Sequence, residues 1–137
     1  MATGTYSVQL DLKNHALLYA QYGLLAERDV PGFLQALHDA AQRVAGRPWV
    51  ILGDLRATPP QPEMGEKILP LLGFASDLGC RQVALVVSMA ALEMQIRRFS
   101  RHSPEVETKA LRLQLFDDPS QAASWLGIDA TPPLVSG

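Results

Sequence analysis

Apolar and polar positions alternate from Tyr6 to Leu12, with Val8, Leu10 and Leu12 on one face and Ser7, Gln9 and Asp11 on the other. A period of two predicts a half-buried strand. Lys13-Asn14-His15 reads as a turn with Asn14 suited to a positive φ, and Ala16 to Tyr22 as the second arm of an antiparallel hairpin that Gly23 ends. The period then changes. Phe33, Leu34, Leu37, Ala40, Ala41 and Val44 form one helical stripe, with Asp29 and Pro31 where helices start and Gly46 where they stop. Trp49-Val50-Ile51-Leu52 is a continuous apolar run leading into Gly53-Asp54-Leu55-Arg56 and the loop Pro59-Pro60-Gln61-Pro62. That is the pattern of a parallel strand buried on both faces.

A second stripe follows: Met64, Ile68, Leu71, Leu72, Ala75 and Leu78, closed by Gly79. Pro70 falls inside it and predicts a kink or a late helix start. Val83 to Val87 is a second short buried strand, and Ser88 is placed to cap a helix from Met89 to Arg101 whose stripe is Met89, Leu92, Ile96 and Phe99. Glu93 and Arg97 stand i, i+4 on its exposed side. Leu111, Leu113 and Leu115 alternate with Arg112, Gln114 and Phe116 in a last strand. Asp118-Pro119-Ser120-Gln121 is a capping-box pattern opening a helix to Leu126, Gly127 ends it, and residues 128–137 read as a loose tail.

The order β-β-α-β-α-β-α-β-α predicts an α/β fold: a single mixed, mostly parallel five-stranded sheet entered by an N-terminal hairpin, with four helices packed on it through right-handed crossovers. No repeat or long linker divides the chain, so one domain is expected over residues 1–137, its core from about 6 to 127. The 137 residues are 47% apolar and 19% charged, the balance of a folded globular chain, and leave room for a real core. A net charge of −2 gives no footprint for nucleic acid or an anionic membrane surface. Cys80 is the sole cysteine, which fits a reducing cytoplasm. No apolar run approaches the roughly 20 residues of a membrane-spanning helix, and the N-terminus lacks a secretory pattern.

Open α/β sheets place their chemistry at the carboxyl ends of the strands. Asp54, Ser88 and Asp117 are expected there, as site residues or simply as helix caps and turn residues, with Asp54 the best candidate of the three. A phosphoryl-accepting Asp54 with Ser88 on the next strand would match response-regulator receiver domains. That reading also needs an acidic pair for Mg²⁺ after the first strand and a lysine after the last. The chain has Lys13-Asn14-His15 and Asp117-Asp118 instead, and the reading fails. His15, His38 and His102 have no zinc spacing, and no phosphate loop or nucleophile elbow is present. No catalytic set, metal site or cofactor is therefore expected. Cys80 precedes a buried strand and reads as an inert packed thiol. Arg97, Arg98, Arg101 and His102 form the only basic cluster, either a solvated helix end or an anion contact. Met64 and Met89 read first as core filling and second, with Met94, as the lining of an adaptable pocket.

The run Val50-Ile51-Leu52-Gly53-Asp54-Leu55-Arg56, the passage Val83 to Phe99 and the ending Leu115-Phe116-Asp117-Asp118 with Ala122, Ala123, Trp125 and Leu126 resemble the SpoIIAA-like bacterial family. That family has the STAS fold and is often grouped with lipid-binding Sec14-type domains. The resemblance runs from about Tyr6 to Leu126 and rests on the order of short apolar motifs. It implies a non-catalytic regulatory module in which a serine at the start of the helix after the Asp54 strand is phosphorylated. Here Pro59 to Glu63 fill that region and only Thr58 carries a hydroxyl, so the switch serine is missing. Two functions follow. One is a protein-interaction module presenting the loop Leu55 to Glu63, with Asp54, Arg56, Thr58 and Glu63 as candidate contacts, acting as a monomer or homodimer. The other is a carrier or sensor of a small apolar or lipid-like ligand between helices and sheet, lined by Met64, Leu72, Met89 and Phe99. The second requires a pocket of several hundred Å³.

Overall fold

The computed structural model describes residues 4–102 and 111–133. Strands β1 (Thr5–Asp11) and β2 (Ala16–Tyr22) pair antiparallel, with Asp11 opposite Ala16. Asn14 does not take the positive φ; His15 does, at 50°. Asn14 instead donates its amide N–H to Asp11 Oδ1 (3.1 Å) and its side chain to Asp11 Oδ2 (2.8 Å), a local turn that satisfies both carboxylate oxygens. Leu12 consequently belongs to the turn, 57% exposed, rather than to the buried face of β1.

Helix α1 (Val30–Val44), strand β3 (Trp49–Ala57), helix α2 (Pro62–Asp77), strand β4 (Cys80–Val86), helix α3 (Ala90–His102), strand β5 (Arg112–Phe116) and helix α4 (Pro119–Leu126) complete the predicted order. A 3₁₀ turn, Glu27–Asp29, leads into α1. The sheet order is β1-β2-β3-β4-β5, with β2 to β5 all parallel. Right-handed crossovers that always step the same way keep their helices on one face. The packing agrees: Phe33 of α1, Met64 and Ala75 of α2 and Leu92 of α3 share a cluster with Leu17, Ile51, Val83 and Leu85. The alternate strand positions Leu18, Leu52, Ala84 and Val86 meet Ala122, Ala123 and Leu126 of α4 on the other face.

Helix α2 runs unbroken through Pro70, without the late start that the proline suggested. Both Pro70 and Glu66, whose carbonyl loses its donor there, are exposed, so the lost bond faces water. Gly127 takes φ 75°; its N–H reaches Ser124 O and that of Ile128 reaches Ala123 O, both at 3.0 Å. This is a Schellman ending. It turns the chain back, so residues 128–133 are not a loose tail. Ile128 and Ala130 pack on the α4 face, and Asp129 O accepts from Asn14 Nδ2 at 3.2 Å. Residues 134–137 lie outside the described part of the chain. Among the described residues no helix is long and apolar enough to cross a membrane.

Candidate functional site

The sheet face under α1, α2 and α3 is not filled to the last methyl. Between α2, α3 and the strands lies an apolar cavity of about 110 Å³. A neighbouring void of about 60 Å³ shares Tyr19, Ile68, Leu72, Leu85 and Leu113 with it. Two local features remove volume there. Gly65, on the α2 wall, brings no side chain. On the sheet, the Tyr19 ring lies flat across Gly53, its partner in the ladder: a Cβ on Gly53 would stand 2.5 Å from Tyr19 Cζ. Glycine inside a strand marks such a close approach. Phe33 holds the ring from above, with centroids 5.9 Å apart, and Tyr6 backs Phe33 at 5.0 Å.

The cavity carries no charge among the described residues. Its polar groups are Tyr19, Gln21, Thr58, Gln61 and Gln95. Several are spent on the fold. Thr58 Oγ1 donates to Gln21 O (3.0 Å), and Gln21 Nε2 donates to Gly23 O (2.9 Å). Gln95 Oε1 accepts from the Gln61 amide (3.3 Å), and Gln61 Nε2 donates to Leu25 O (3.4 Å). One group is left over: Gln61 Oε1 is buried with no hydrogen-bond partner among the described residues. The Tyr19 side chain, on a residue only 9% exposed, lines the same space. Burial raises the Tyr19 pKa above its ordinary value, so it remains a neutral phenol that both donates and accepts.

Of the pocket residues expected from sequence, Met64 (8% exposed) and Leu72 line the cavity. Met89 does not: it precedes α3, its side chain 38% exposed, so neither core filling nor pocket lining describes it. The side chain of Phe99 lies outside the described residues, as does that of Arg101. The volume is also smaller than the several hundred Å³ expected of a carrier.

The switch-loop candidates divide between the two faces. Thr58 is 4% exposed at the cavity rim, while Glu63 is exposed in the first turn of α2. Asp54 and Arg56 are on the α4 side, where Arg56 Nε and Nη2 grip Asp54 Oδ1 (3.0 Å) and Oδ2 (2.7 Å). The ladder slips between Ala20 and Tyr22, two residues of β2 against three of β3. The bulge leaves the Arg56 N–H to Asp54 Oδ1 at 3.1 Å. Partial burial alone would raise the Asp54 carboxyl; the Arg56 side chain, N–H and charge together outweigh it and hold the carboxyl below its ordinary range. Ser88 does not cap α3. It donates to Arg56 O, tying the end of β4 to the bulge, while Met89 O accepts the first helical bond, from Glu93 N. Asp117 is exposed, and its neighbour Asp118 caps α4 by accepting from Ser120 N at 2.9 Å. Of the three polar residues expected as one cluster, Asp54 and Ser88 thus both engage the backbone of Arg56, and Asp117 stands exposed beside the α4 cap.

Arg97 is held by Glu93 at 2.8 Å and Arg98 is exposed on the same helix. Among the described residues no group of three or more His, Cys, Asp or Glu side chains comes together as a metal site. Cys80 is buried, its thiol pushed up to about 12 by that burial. Tyr19 and Gln61 were not singled out by sequence reasoning; Gly53 within an apolar strand was the available signal of a ring laid against the backbone. Comparison with protein-family models, with curated proteins and with solved structures gave no match.

Proposed function

We propose that this chain is a non-catalytic carrier or sensor of a small, uncharged, mostly apolar ligand held between α2, α3 and the sheet. The observation that carries this reading is the cavity of about 110 Å³ with an uncharged lining and the buried, unpartnered Gln61 Oε1 on its wall. Unfilled apolar space costs stability, because its walls lose contacts on one side. A ligand restores those contacts. Unsatisfied buried polar groups add to the cost and give a ligand something to orient against. The resemblance to the SpoIIAA-like family supports a binding module, but a smaller ligand than a lipid. The interaction-module reading draws less support: Thr58, the loop's one hydroxyl, is turned inward and engaged by Gln21 O. The loop from Thr58 to Gln61 rims the cavity, so a sensor would have its readout there.

Native mass spectrometry of protein purified without detergent tests this. A reproducible added mass, released on denaturation, supports the reading. An apo mass that no small apolar compound shifts, with no gain in melting temperature, contradicts it.

A further inference from the structure

Resting on that ligand-binding reading, we infer that the ligand is a compact, neutral, hydroxyl-bearing hydrocarbon, a small phenol or cyclic alcohol, and that Tyr19 is its specificity-determining contact. Size is the first argument. A cavity of about 150 Å³ lined by aliphatic and aromatic side chains takes benzene. The two neighbouring voids here measure about 110 and 60 Å³. One six-membered ring with a substituent is the class that fits.

Charge is the second argument. With no charged side chain lining the cavity among the described residues, an ionised carboxylate or ammonium would enter without a partner, at prohibitive desolvation cost. Fatty acids and amines are excluded on this ground. The third argument is the polar chemistry of the wall, the unpartnered Gln61 Oε1 and the Tyr19 phenol. Gln61 Oε1 only accepts, so it selects a ligand that donates. The Tyr19 hydroxyl donates or accepts. A ligand hydroxyl satisfies either group, whereas an ether, ketone or plain hydrocarbon leaves Gln61 unserved. Tyr19 also packs between the backbone of Gly53 and the ring of Phe33, contacts that orient its hydroxyl before a ligand arrives.

The test is calorimetric titration of the full chain with p-cresol, toluene and benzoate, in the wild type and in Tyr19→Phe, which removes one oxygen and keeps the ring. p-Cresol should bind the wild type about tenfold more tightly than toluene, the ratio for one hydrogen bond of about 1.4 kcal/mol. Benzoate should not bind. In Tyr19→Phe the preference should fall severalfold while toluene affinity holds. Equal binding of p-cresol and toluene to the wild type, or a preference unchanged in Tyr19→Phe, overturns the specificity assignment and leaves the cavity reading standing. Tight binding of benzoate overturns the neutral-ligand assignment. Binding of none of the three overturns the cavity reading as well.

Discussion

Tyr19 and Gly53 decide what the cavity is. The ring needs the bare backbone beneath it, and the space above it exists because the ring lies down instead of projecting toward the helices. Gly53→Ala should therefore push the ring up into the void, cost roughly 1–3 kcal/mol as overpacking, and abolish toluene binding. A melting curve with and without toluene checks both. Thr58 Oγ1 donates to the backbone carbonyl of Gln21 from a buried position, so Thr58→Val should cost roughly 1–3 kcal/mol in chemical denaturation. That is the opposite of a surface contact residue, whose replacement would leave stability unchanged. Cys80 should resist a thiol reagent at pH 8 until the chain unfolds, since a thiol near 12 supplies almost no thiolate. Asp54 gives a pH dependence of definite sign. Its carboxyl is held below the ordinary value of 3.8, so its contribution is complete above that pH and fades as pH falls through the lower folded-state value. Asp54→Asn should flatten the acid side of the stability curve below about pH 4, measured as denaturation midpoints against pH.

At the scale of elements, the period of the apolar positions was enough to place the strands and α-helices of the described residues, because burial of one face is what that period encodes, while the 3₁₀ turn Glu27–Asp29 has no such period. The cap of α4 was legible too: Asp118 accepts from Ser120 N as the local pattern required. Asp118→Ala should cost about 1 kcal/mol. What sequence could not reach were the polar residues answering to distant backbone. Ser88 was assigned to the nearest helix, yet its hydroxyl serves the carbonyl of Arg56, 32 residues away. Asp54 stands near the carboxyl end of its strand as expected, but the bulge that turns Arg56 back onto it is not legible locally. A bulge has no composition of its own in this chain, and its register exists only once β2 lies beside β3. Residues 128–133 escape a local reading for a related reason: Asn14, which anchors Asp129, is 115 residues away in sequence.

For the whole molecule, the sequential strand order sets the asymmetry on which the proposed function depends. Among the described residues, three helices crowd one face and a single short one covers the other. Three-helix coverage must close over a twisted sheet at two helix junctions, and small residues at one of them leave a void. Gly65 on α2 and the flattened Tyr19 beneath it are those concessions. The site was partly legible in advance through Met64 and Leu72, which the helical stripe turns inward. Its size and its neutrality were not, because both depend on how α2 and α3 sit over the sheet. The most direct test is a toluene titration of ¹⁵N-labelled protein, followed by amide chemical shifts. The account predicts saturable changes concentrated at Tyr19, Gly53, Thr58, Leu72 and Leu92, around the cavity. Changes confined to the exposed Met89 and Met94, or none at all, would contradict it.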